Sequence, residues 1–136
     1  MKSIRFILTA LPLTLALAAG APAEDLSGYS GHDLYKRFCS SCHGAQAEGN
    51  GPVAGFFKLK PPDLTRLAQR HGGKFPADKV RQIIDGRTNV APHGAREMPV
   101  WGLEFMMAGD GATDAASQSA ALITKLVDYL ASIQSH

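Results

Sequence analysis

Cysteine is nearly absent: the 136 residues hold two, Cys39 and Cys42. A bridge at that spacing closes a tiny loop and removes little unfolded-state entropy, so it would be a poor staple. Charge of one sign is also lacking, since the formal net value is only +2. A nucleic-acid binder would need a far more basic balance. No apolar run reaches the roughly 20 residues that a membrane-spanning helix needs. Internal repeats and low-complexity tracts are missing beyond the first residues, which removes solenoids and disordered tails. What is left is one domain of ordinary size with a modest core.

The first residues stand apart in composition. Lys2 and Arg5 precede a mostly apolar run from Phe6 to Ala19, and Ala21-Pro22-Ala23 follows. A positive start, a short apolar stretch and a small-x-small site read as a secretory signal peptide over 1–23. An uncleaved anchor is the alternative reading of the same segment. Cleavage after Ala23 leaves a domain over 24–136, expected to be soluble in the periplasm. It also takes Lys2 and Arg5 from the fourteen basic residues, leaving twelve against twelve acidic ones.

Residues 39–43 read Cys-Ser-Ser-Cys-His. Two thiols so spaced can add to the two vinyl groups of one haem, and the histidine that follows is then held beneath the iron. Cys39 and Cys42 are thus candidates for covalent haem attachment, and His43 for an axial ligand. Three other chemistries compete for the cysteines. A zinc site wants two further ligands, for which only His71 and His93 could be stretched to serve. A thioredoxin-type pair wants a strand-helix-strand setting, which is not apparent, and a plain disulfide is the third.

An electron-carrying haem ordinarily takes a second axial ligand. Met98 lies in Arg96-Glu97-Met98-Pro99-Val100-Trp101-Gly102. The proline after it disfavours helix and restricts Met98 to an extended conformation, as a strap across a haem face requires. His93 is the rival ligand. Met106 and Met107 read instead as flexible core fillers.

In this order along one chain, the motifs resemble class I cytochrome c. Gly31, Tyr35, Cys39, Cys42 and His43 are similar to that family's first-helix pattern, and Leu126 and Tyr129 to its last-helix pattern. Pro62-Asp63-Leu64 resembles the family's proline-x-leucine element. That likeness implies a carbonyl at Pro62 accepting a hydrogen bond from the proximal histidine. Met98-Pro99 resembles the distal strap. The resemblance implies one covalent haem c, axial ligands His43 and Met98, no catalytic residues, and transfer of single electrons between partner proteins.

The scaffold can be read independently. Ser30 is a candidate N-cap, with Asp33 favouring the positive end of the dipole, for a helix over about 31–41 carrying Leu34, Tyr35 and Phe38. Glycines and prolines make 44–61 a long loop. Asp63 caps a short helix with Leu64, Leu67 and Ala68 that stops at Gly72-Gly73. Pro76 opens another, with Val80, Ile83 and Ile84 on one face and a stop at Gly86. The last helix starts between Asp114 and Ser117 and repeats apolar residues at Ala120, Ile123, Leu126, Val127, Leu130 and Ile133. The expected fold is all-α, about four helices with long loops wrapped around a haem. His32 and His136 read as surface residues, and Trp101 as a haem-edge or core residue.

Charge is unevenly spread. Residues 58–96 carry nine basic side chains against three acidic, and the rest of the expected mature chain the reverse. A basic docking surface formed by some of Lys58, Lys60, Lys74, Lys79, Arg87 and Arg96 would steer a redox partner with an acidic face. Arg87 and Arg96 could equally bind haem propionates. Rival function classes are a permanent haem c subunit of a periplasmic dehydrogenase or oxidase, for which Phe105-Met106-Met107 in the late loop is the local hint, and a haem enzyme or gas sensor with an open iron site.

So few helical stripes with such long loops bury little apolar surface on their own. A chain with Cys39 and Cys42 both replaced by alanine should therefore be poorly folded. Circular dichroism would show a broad, non-cooperative melt; a native-like cooperative one would refute the expectation.

Overall fold

The computed structural model describes residues 25–86, 98–108 and 114–135, and among these every regular element is helical. The signal segment, Arg87, His93, Arg96 and His136 lie outside the described residues. Six α-helices follow in order: α1 Gly31–Phe38, α2 Ser40–His43, α3 Leu67–Arg70, α4 Ala77–Asp85, α5 Trp101–Ala108 and α6 Ala115–Ser132. Single 3-10 turns cover Ala54–Phe56 and Leu64–Arg66.

Ser30 caps α1 as its sequence suggests. Its hydroxyl accepts from the Asp33 amide at 3.1 Å, and the Asp33 carboxylate accepts from the Ser30 amide at 3.2 Å. This reciprocal pair satisfies two amides that a helix start leaves open. Where one helix over 31–41 was expected, two short ones meet at Cys39. The Ser40 hydroxyl donates to the Lys36 carbonyl, which diverts that group from the regular ladder. Helical hydrogen bonding nevertheless resumes, and the His43 amide donates to the Cys39 carbonyl at 2.9 Å. It ends where Gly44 takes φ +84°.

Helix α6 is the hub, since α1, α4 and α5 all pack on it. Its buried face is Ser119, Leu122, Ile123, Leu126, Val127 and Leu130. Ala120, expected inward, is exposed. The stripe shifts because the Ser119 hydroxyl donates to the Gly102 carbonyl of α5 at 2.9 Å, so a polar residue is satisfied within the interface. Leu34, Tyr35 and Leu126 are the largest fully buried side chains, and all three belong to the α1–α6 contact. There Gly31 lies so close to α6 that a Cβ would collide with the Lys125 carbonyl and the Tyr129 Cβ. Tyr35 packs on Tyr129 with ring centroids 5.4 Å apart.

The segment expected to be a loop after Met98 contains α5. Apolar residues nearly all round it leave no one-sided periodicity to recognise, and Gly102 near its start reads as a loop residue. Phe105 is buried in the core, but Met106 and Met107 are 42 % and 61 % exposed, so they are not core fillers. Helix α4 ends as expected, with Gly86 at φ +81° donating to the Gln82 and Ile83 carbonyls.

Gly31→Ala should destabilise the chain by about 1–3 kcal/mol, the usual cost of forcing one extra methyl into a packed contact. Denaturant unfolding would measure it; an unchanged midpoint would contradict the close crossing.

Candidate functional site: an apolar cleft at the end of α1

Helix α2 and Cys39 at its start bring both cysteines and His43 to one cleft. Phe38, Phe57, Leu59, Pro61 and Trp101 form its apolar walls. Cys39, Cys42 and His43 line it as well, and so do Met98 and Pro99, from a segment far along the chain. The space amounts to about 540 Å3, counting the part open to solvent at the mouth.

Backbone hydrogen bonds lash the following loop to the motif. Gly51 donates to the Cys42 carbonyl at 3.1 Å, Val53 to the Ser41 carbonyl at 3.1 Å, and Gly49 to the His43 carbonyl at 2.8 Å. The Tyr35 hydroxyl donates to the Gly44 carbonyl at 2.6 Å, so the α1 core reaches the turn that ends the motif. Gly49 permits the return of the chain: it takes φ +77°, and a Cβ there would strike the Pro61 carbonyl. Glycine alone suits both demands.

His43 is buried, and its Nδ1 lies 3.3 Å from the Pro62 carbonyl oxygen. A carbonyl only accepts, so Nδ1 carries the proton and donates, leaving the Nε2 lone pair free for a metal. Burial lowers the His43 pKa, with the Pro62 hydrogen bond opposing it. The neutral ring that ligation requires is favoured. Burial, then the neighbouring Cys42, push the Cys39 thiol up to about 12. The strand-helix-strand setting of a thioredoxin-type pair is not found among the described residues, which hold no strand.

Zinc fares no better. Among the described residues no group of three or more His, Cys, Asp or Glu side chains could hold a metal ion. His71 sits exposed beyond α3 with its Nδ1 2.9 Å from the Leu67 carbonyl. The donor set in the cleft is two thiols, one imidazole and one thioether among apolar walls. That is the chemistry of a haem c site, and these residues fit it.

Residues 28–130 match the family described as cytochrome C oxidase, cbb3-type, subunit III. The chain belongs to this family. It is accordingly a class I monohaem cytochrome c domain, all-α, whose Cys39–Cys42 pair is consistent with covalent haem c. No curated protein and no solved structure matches it. Cytochrome c domains are electron carriers rather than catalysts, and redox proteins are their partners. No helix among the described residues is long and apolar enough to cross a membrane.

Two residues of the cytochrome c cleft escaped the sequence reading. Phe57 and Leu59 stand in the stretch read only as a long loop, yet both line the site. The available signal was an apolar trio with Phe56 inside an otherwise glycine- and proline-rich segment. Phe38, Trp101 and Phe105 form an aromatic cluster behind Met98, with centroid distances of 5.3–6.0 Å.

Proposed function

We propose that the chain is exported with loss of residues 1–23 and serves in the periplasm as a single-electron carrier. Its haem c is bonded to Cys39 and Cys42, with His43 and Met98 as axial ligands. The observation that carries this reading is that His43 and Met98 line one cleft from separate segments of the chain. Bound haem c supplies the ferric–ferrous couple. The protein's own residues hold and shield it: Pro62 orients the His43 ring, the Pro99 segment presents Met98, and the apolar walls exclude water. With both faces ligated, no position is open to substrate, which favours a carrier over an enzyme or gas sensor.

A second arrangement, a permanent subunit of an oxidase complex, is favoured by the family to which the chain belongs and by the apolar surface of α5. Leu103, Met106 and Met107 stand 42–61 % exposed on that helix. The electron chemistry is the same in both arrangements.

The ligand assignment is tested by optical spectra of the ferric and ferrous protein, with carbon monoxide added to the reduced form. The expected result is a low-spin haem that does not react, and rapid carbon monoxide binding in Met98→Ala. Rapid binding by the unaltered protein would overturn it.

Lys58 and Lys60 are exposed on either side of Leu59 at the cleft mouth, and Lys74 and Lys79 are exposed farther along. They support docking to an acidic partner face, with Arg87 and Arg96 as further candidates from the sequence. Electron-transfer rates with such a partner should fall as salt is added, because screening weakens charge steering. Rates that stay flat or rise would remove this surface from the reading.

A further inference from the structure

The end of α6 reaches the segment that carries Pro62, and it does so through Gln134. The Gln134 Nε2 donates to the Leu64 carbonyl at 2.8 Å and to the Leu130 carbonyl at 2.7 Å. Its Oε1 accepts from the Ala68 amide at 2.9 Å. The next residue adds a fourth tie, the Ser135 amide donating to the Thr65 carbonyl at 2.8 Å. One amide side chain thus satisfies groups on both sides of the 3-10 turn Leu64–Arg66 while staying bonded to its own helix.

We propose that Gln134 is a positioning residue for His43, acting through Pro62. The proposal rests on the reading of His43 as an iron ligand. Pro62 is two residues before Leu64, and its carbonyl is the acceptor for His43 Nδ1. Other ties on this segment are the Asp63 carboxylate accepting from the Thr65 amide at 2.9 Å, the Leu64 amide donating to the Ala47 carbonyl at 2.7 Å, and Arg70 of α3 donating to the Asp63 carbonyl. Leu64 and Leu67 also pack against the core, but none of these hydrogen bonds reaches α6. Gln134 and Ser135 fasten it to α6, the helix on which α1 also packs. The Pro62 carbonyl and the histidine ring are thereby referred to one rigid frame.

The consequence is electronic. A carbonyl that accepts firmly from Nδ1–H makes the imidazole a stronger donor to iron, and that favours the ferric state. Loosening the clamp weakens the bond and shifts the balance toward ferrous, raising the potential.

The test compares Gln134→Ala with Ser132→Ala, both in the haem-loaded full chain. Ser132 bonds only within α6, its hydroxyl donating to the Tyr129 carbonyl at 2.7 Å, so it controls for general loosening of the helix end. Gln134→Ala should shift the ferrous-to-ferric ratio at fixed poise by up to about fivefold, the scale of one ordinary hydrogen bond. That corresponds to about 40 mV at 59 mV per decade. The His43 Nδ1–H proton resonance of the ferrous protein should move as well, and Ser132→Ala should change neither. If Gln134→Ala does not assemble, Gln134→Glu is measured in the same way, since it keeps the acceptor for Ala68 and loses both donated bonds. An unchanged potential and resonance, or an equal shift in Ser132→Ala, would overturn the positioning role with the site reading intact. An unaltered protein lacking a low-spin spectrum would instead overturn the site reading, and this inference with it.

Discussion

The close crossing of α1 on α6 is the contact on which the rest depends. Gly31 has no side chain, so the backbone of α1 rests against the Lys125 carbonyl, and the separation of the two helices is set by atoms that cannot adjust. Tyr35, one turn on, then meets Tyr129 as a packed ring pair and sends its hydroxyl to the Gly44 carbonyl. Burial raises the pKa of that phenol, so it remains a donor. From a single crossing point the chain thus determines where α1 ends, where α2 begins and where the two thiols stand.

The distal side is built by a different route onto the same helix. Ser119 of α6 bonds Gly102 of α5, and a Cβ at Gly102 would collide with Asp85 of α4. The start of α5 is therefore held between α4 and α6, and Met98 sits three residues before it. Phe38 of α1 packs on Trp101 and Phe105, which closes the circuit between the two walls of the cleft. Neither wall bonds covalently to the other, yet both take their position from α6.

Much of this was legible in the residues, and the parts that were not share a cause. Caps and stops are local: Ser30 with Asp33, and Gly86, act on backbone groups within a few residues as their type and spacing indicate, while Asp63 caps a 3-10 turn, Leu64–Arg66, in place of the single helix expected there. The haem motif is equally local. Helix α5 was missed because Trp101, Leu103, Phe105 and Met106 surround it with apolar groups, and an all-round apolar segment has no phase to read. Ser119 and Gln134 were missed for the opposite reason. Each is a polar residue whose value lies in one distant carbonyl or amide, and spacing along the chain contains no trace of that partner.

The helices and the cleft also differ in what sustains them. Leu34, Leu126, Val127 and Phe105 belong to one continuous core. Phe57, Leu59 and Pro61 line the cleft, and Phe56 and Leu59 are 87 % and 56 % exposed. Apolar groups held at a solvent-open mouth gain little from burial. Their cost is tolerable only where a large flat apolar body covers them, or a partner surface does. A haem held at Cys39 and Cys42 would meet the first requirement, and a redox partner would meet the second. Lys58 and Lys60 bracket Leu59, so the same stretch combines an apolar contact with charges that steer an approach. The stretch that lines the cleft is also the one exposed at its mouth.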